Sequence, residues 1–276
     1  EAYQKYDSLN QGKQPLVRIL VSYIKPSFLF KTKILTPVQL GRAVEKNKSK
    51  DGLQSDENLK WLHENCVFHD DFEKGISKYN RRIGFLTGTY WAWKNYDKLG
   101  NPAYFGSFGY RRLLSSDFLK NLEEYDVIIP KMKNFKIETV HGQFVNVHGK
   151  NLYDSMLDVF TQIYPKERES LEHYFELTSG YFDEMYVMRK QIFFEFCNWI
   201  FPLLFAFLKI PQQNNSKDMR DIAFIMERLT GYYLYTLTLR SDIKYKEENV
   251  VIIEEMKINK QNITKELFAK LRKGIK

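Results

Sequence analysis

Cysteine is scarce in this chain: Cys66 and Cys197 are the only two in 276 residues. They form neither a disulfide framework nor a metal-ligand pair, and no nucleophile signature surrounds either, so a reducing, cytoplasmic setting is expected. The sequence also contains no Walker loop, no G-x-G-x-x-G, no H-E-x-x-H and no G-x-S-x-G. Those absences remove the common nucleotide hydrolases, dehydrogenases, metalloproteases and esterases. The longest apolar run, "IFFEFCNWIFPLLFAFL" from Ile192, carries Glu195, Asn198 and Pro202. It falls short of the roughly 18 to 20 residues that span a bilayer and reads as a buried or amphipathic helix. No internal repeat is present, and low complexity is confined to "QQNNSKD" at 212–218. The chain begins at Glu1 with neither a signal peptide nor an initiator methionine, so its ends need not be those of the gene product.

Apolar and basic residues are abundant. The chain is 43% hydrophobic and 16% aromatic, enough for a substantial core. Forty-two Lys and Arg against 34 Asp and Glu give a net charge of +8. Such a field attracts phosphates, anionic lipid surfaces or nucleic acid without choosing among them.

After a polar leader ending at Pro15, "LVRILVS" alternates like a first strand, and Pro37 to Gly41 suggests a short strand or turn. A lysine-rich loop follows and is expected to be poorly ordered, then "SDENLKWLHENC" offers a serine-capped helix. Ile83, Leu86, Tyr90 and Trp93 have helical spacing and predict one helix over Ser77–Asn95, leading through a turn into the strand "AYFGSFGY". "YDVIIPK" reads as a strand, and two helices divide near Pro165. A strand at Met185–Met188 precedes a long helix, and the tail holds a helix "RDIAFIMERLTGYYLYTLTLR", a strand "NVVIIEEMKI" and a basic helix. Alternating strands and helices predict an α/β fold, a mixed sheet flanked by helices in a single domain with a helical C-terminal part. In such sheets ligands sit beyond the carboxyl ends of the strands.

That rule directs attention to Ser22 and Tyr23, to Gly109–Arg112, and to Asp183 and Glu184. Arg111 and Arg112 follow an apolar strand, where guanidinium forks bind phosphate oxygens without a metal. Alternatively, one arginine pairs with a carboxylate and the other is solvated. Tyr90, Trp91 and Trp93 either stack a base or sugar ring or pack in the core. His141 and His148 lie seven apart, too far for a metal pair on one helix turn, which leaves His148 as a hydrogen-bonding or acid–base candidate. Asp70 and Asp71 read as a solvated turn or a helix cap. Asp183, Glu184 and Glu227 are either general bases for a hydroxyl nucleophile or members of structural ion pairs such as Glu227 with Arg228.

Together, "ILVSYIKP" with "TPVQLG", "ISKYNRRIGFLTGTYWAWKN", "FGSFGYRRLL", "YDVIIPK", "MYVMRKQIFFEFCNWIFPLLF" and "FIMERL" resemble, in order and spacing, the bacterial glycosyltransferase-like family called domain of unknown function 4422. The resemblance covers residues 16–254, leaving 1–15 as a leader and 255–276 as a basic C-terminal helix. It implies a GT-A-like fold and a hexosyltransferase of capsule, exopolysaccharide or lipopolysaccharide synthesis using a nucleotide sugar, with UDP-galactose as the family-level guess. It places Pro37, Gln39 and Gly41 on the nucleotide side. Asp70, Asn80, Thr87, Trp91 and Lys94 fall in the central motif, Tyr110, Arg111 and Arg112 in the arginine motif, His148 at an isolated histidine, and Glu227 with Arg228 in a late acidic–basic pair. The chain departs from the pattern at Gly109 and Tyr23, where histidines are expected. It departs again at Gly75 and Phe85, where Asn and Glu are expected, and at Glu184, where Asn is expected.

GT-A enzymes usually meet the charge of a departing diphosphate with a divalent ion held by Asp-x-Asp, and this sequence contains none. The expected arrangement is therefore Arg111 and Arg112, helped by Lys25 or Lys94, on the diphosphate, with Tyr23 or an aromatic near it against the base. Glu227, Asp183 or Glu184 then deprotonates the acceptor; a Mg or Mn cofactor stays open. The expected partners are a nucleotide sugar, a glycan or lipid-linked glycan, and an anionic membrane surface under the basic C-terminal helix at the inner face of the cell membrane. The competing class is a non-catalytic or nucleic-acid-binding basic protein, against which stands the absence of any nucleic-acid module.

Overall fold

"VRILVSY" is apolar and β-branched, and it forms β1 (Val17–Tyr23), in which every residue except Arg18 is buried. Near-continuous burial marks a central strand covered on both faces. The computed structural model describes residues 1–12, 14–44, 55–210 and 220–253. The expected lysine-rich loop at 45–54, the 212–218 segment and the basic C-terminal helix lie outside the described residues.

β2 (Leu35–Gln39), β3 (Phe68–His69) and β4 (Tyr104–Gly109) extend a parallel sheet in the order β3-β2-β1-β4. β4 does not stop at the two arginines: it turns through Tyr110–Arg111, and Arg112 opens the returning β5 (Arg112–Leu114) by pairing with Gly109. Beyond β4 the order continues to β9 (Tyr186–Arg189), β6 (Val127–Pro130) and β10 (Tyr245–Glu248), with β9 antiparallel to both neighbours. β11 (Val250–Ile252) closes on β5. A separate ribbon pairs β7 (Lys133–Asn134) with β8 (Ser179–Gly180).

α1 (Asp56–Asn65) starts as its sequence predicts, Ser55 Oγ accepting the Asn58 N–H at 3.1 Å. The single helix expected over Ser77–Asn95 is instead a 3₁₀ turn, a short α2 (Asn80–Ile83) and α3 (Leu86–Lys94), broken at Gly84 with φ +60°. α4 (Val140–His148) holds both histidines of the "GQFVNV" segment, and α5 (Lys150–Ile163) and α6 (Arg168–Glu176) divide at Pro165. α7 (Lys190–Lys209) continues through Pro202 to 20 residues, long and apolar enough to cross a membrane by length and composition, with half of its most apolar window buried. α8 (Asp221–Leu239) packs beside it.

Strand parity divides the core. Leu20, Phe105, Val127 and Met188 face α3, α7 and α8, while Val21, Tyr23, Phe108 and Val187 face the other way, toward Tyr3 and Trp61. Tyr3 donates its hydroxyl to the Leu114 carbonyl at 2.9 Å, so the segment before β1 is packed onto the sheet. Cys66 and Cys197 are both free. The whole is a mixed α/β sheet flanked by helices in one domain.

Candidate functional site

Because β9 runs against its neighbours, the residues that precede it arrive where β4 and β6 end. Asp183 and Glu184 thus meet the arginine hairpin. Both adopt left-handed backbone, φ 79° and 47°, which costs a non-glycine residue about 1 kcal/mol or more. The surroundings hold them there. Asp183 Oδ1 accepts from Arg112 Nη1 at 2.5 Å and Oδ2 from Lys133 Nζ at 2.6 Å, while the Asp183 N–H donates to Glu227 Oε1 at 3.2 Å. The Asp183 side chain is 4% exposed, whereas Arg112 and Lys133 keep 50% and 48% of theirs exposed. The arrangement buries the anion and faces both cations outward. Arg111 is exposed, with its guanidinium 5.5 Å from the Tyr110 ring centroid. The pattern therefore matches the ion-pair alternative for Arg112 with Arg111 solvated, and it still presents guanidinium groups at the strand end.

On α8, Glu227 Oε2 accepts from Arg228 Nη1 at 2.7 Å, and Arg228 Nη2 donates to Gln143 Oε1 at 2.6 Å. The buried guanidinium also lies 4.1 Å from the Phe182 ring centroid, so its charge is paired and its flat face covered, as burial requires. Glu184 differs from the other two carboxyls. Its Oε1 is shielded from solvent with no hydrogen-bond partner. Burial first, then the charges of Glu227 and Asp183, push its carboxyl well above the ordinary range. Among these three carboxyls Glu184 keeps an uncommitted oxygen. Among the described residues no group of three or more His, Cys, Asp or Glu side chains is arranged to hold a metal ion, and both Asp183 oxygens are already engaged by cations.

The central-motif residues act as scaffolding. Asp70, fully buried, accepts from the backbone N–H groups of Gly41 at 2.7 Å and Arg42 at 3.2 Å and from the Ser77 hydroxyl at 2.6 Å. It pins the loop after β2 and is not a solvated turn. Asn80 Nδ2 donates to the Gly84 carbonyl at 3.0 Å and to Thr87 Oγ1 at 2.9 Å, bracing the break between α2 and α3. Gln39 is buried at the end of β2, and Lys25 follows β1 in a half-buried loop.

Other candidates are not brought to this face. Tyr23 is turned to the opposite side of the sheet, its ring stacked on Tyr110 at 5.6 Å and tilted against Trp61 at 5.7 Å. Its hydroxyl donates to the Phe28 carbonyl and accepts the Phe30 N–H, so no ring face is left for a base. Trp91 is buried against Phe68, and Trp93 stacks on Phe201 of α7. Lys94 ends α3, its Nζ 3.3 Å from the Trp93 ring centroid; about 13 Å of helix separates it from the strand-end face where α3 begins. His148 stacks on Phe224 at 4.1 Å, more than one turn from Gln143 along α4 and one turn from Arg228 along α8. Sequence reasoning missed Lys133 and Gln143. "PKMKNFK" does follow an apolar strand, which is the signal that singled out the arginines, but β7 is too short for periodicity to register.

The family described as domain of unknown function (DUF4422) matches residues 18–238. Among solved structures, the apo structure of WbbM, a bifunctional glycosyltransferase, is similar over 86% of this chain with a TM-score of 0.70 and 22% identity. That likeness is one of fold, and the chain spans 45% of the length of that protein. No curated protein matches the chain.

Proposed function

The chain belongs to the family of domain of unknown function 4422, and from that membership we propose that it is a glycosyltransferase moving a hexose from a nucleotide sugar to a hydroxyl of a growing surface glycan. The observation that carries this reading is the pairing, at one strand-end face, of outward guanidinium groups with a shielded, uncommitted carboxyl. The fold shared with a bifunctional glycosyltransferase supports it.

In the reaction the acceptor oxygen attacks the anomeric carbon and the bond from that carbon to the diphosphate breaks. The electron pair leaves with the nucleoside diphosphate, and the hydroxyl proton passes to a carboxylate. Arg111 and Arg112 meet the charge that grows on the diphosphate. Glu184, in its ionised form, takes the proton: its carboxyl has a free oxygen and holds a proton more tightly than an exposed glutamate does. Asp183 and Glu227 hold the surrounding groups in place. Because Arg111 and Arg112 meet the diphosphate directly in this scheme, EDTA is expected to leave turnover unchanged. The basic segment 255–276 carries Leu267, Phe268 and Leu271 among lysines; peripheral attachment to an anionic membrane, at the cytoplasmic face, is part of the same reading.

The test is a small panel of nucleotide sugars, UDP-galactose first, assayed for binding and for hydrolysis or transfer. Thermal stabilisation by UDP or a UDP-sugar supports the reading. Salt-sensitive stabilisation by DNA without any response to nucleotide sugars overturns it in favour of a basic nucleic-acid-binding protein.

A further inference from the structure

Lys133 belongs to none of the motifs described so far, yet β7 brings it against the arginine hairpin from the other side of Asp183. Its Nζ contacts Asp183 Oδ2 at 2.6 Å, while Arg112 Nη1 contacts Oδ1 at 2.5 Å. Gripping the two oxygens of one carboxyl holds the cationic nitrogens within about 7 Å of each other, a span that a diphosphate bridges. The carboxyl is buried beneath them and both cations face solvent. A structural ion pair needs one cation per carboxylate, so the second cation is surplus to the charge of Asp183, and exposed Arg111 next to Arg112 adds to the excess.

Resting on the transferase reading above, we infer that Lys133 is a third ligand of the donor diphosphate. Lys133 and Arg112 clasp the diphosphate between them, and Asp183 positions both side chains before the donor arrives. The donor then meets cations already in place, which lowers the ordering cost of binding.

The experiment is calorimetric titration of the full chain with UDP, inorganic pyrophosphate and uridine, for the wild type and for Lys133→Ala, Lys133→Arg and Arg112→Ala. The Lys133 variants leave Asp183 paired with Arg112, and melting curves verify that they fold. Lys133→Ala is expected to weaken UDP and pyrophosphate binding at least about tenfold while leaving uridine unchanged, with Lys133→Arg restoring most of the loss. If Lys133→Ala binds UDP and pyrophosphate as the wild type does while Arg112→Ala loses them, the lysine is only structural and this inference is overturned with the transferase reading intact. If the wild type binds neither UDP nor pyrophosphate, the transferase reading is overturned and this inference with it.

Discussion

A carboxyl with one oxygen meeting neither solvent nor a donor, and with Glu227 and Asp183 beside it, keeps its proton to higher pH than a free glutamate. Unfolded, Glu184 releases its proton near pH ~4.3; folded, it does so later, so the folded state binds the proton more tightly. Stability therefore falls as pH rises from the ordinary glutamate range to the raised value. Glu184→Gln removes that loss. Its melting temperature is expected to match the wild type near pH 4 and to exceed it at pH 7 to 8. On the proposed mechanism its turnover falls by about 10² to 10⁴ while UDP binding persists; unchanged turnover would remove Glu184 as the base. A second residue-scale prediction concerns Gly109, where an added Cβ would lie 3.0 Å from Phe85 Cζ. Gly109→Ala forces the ring aside at a cost of about 1 kcal/mol or more. Phe85→Ala in the same chain relieves the clash, so denaturation of the double variant is expected to be non-additive. These two departures from the family pattern are thus neighbours, a relation that spacing along the chain cannot reveal. The place of Arg111 and Arg112 just beyond β4 was legible because cations directly after an apolar run mark the end of a strand. Tyr23 was misread because a strand end does not say which face a side chain takes; parity set that, and put Tyr23 between Tyr110 and Trp61.

At the scale of elements, α8 and the 181–184 turn form one unit. A Cβ on Gly231 would overlap the Tyr181 carbonyl oxygen and crowd the Tyr174 hydroxyl at 2.7 Å. This close approach brings Glu227, one turn earlier on α8, to the Asp183 N–H. Gly231→Ala is expected to lower stability by about 1 to 3 kcal/mol, and, by moving the turn that carries Asp183 and Glu184, to reduce turnover more than a surface substitution of equal stability cost. Urea denaturation beside an activity assay separates the two effects. The broken helix shows where periodicity fails. Ile83, Leu86, Tyr90 and Trp93 kept helical spacing across Gly84, so their pattern could not reveal the left-handed residue at which Asn80 braces a new start. The capped α1, the division at Pro165 and the long α7 were legible because caps, prolines and sustained apolar runs are local signals.

For the molecule as a whole, the net charge of +8 and the half-exposed cations of the strand-end face make anion binding sensitive to ionic strength. UDP affinity measured from 0.05 to 0.5 M NaCl is expected to fall steadily; no change across that range would place the nucleotide away from Arg111 and Arg112. The sheet's topology was only partly legible, because the antiparallel course of β9 and the pairing of β10 with β6 join segments far apart in sequence. The same topology bears on how the protein is made. The hairpin with Arg111 and Arg112 is completed by β11, and the Ile253 N–H donates to the Arg111 carbonyl at 2.8 Å. A nascent chain still on the ribosome cannot finish this hairpin until residue 253 has emerged, so the proposed donor-binding face is assembled only after the whole described sheet has been synthesised.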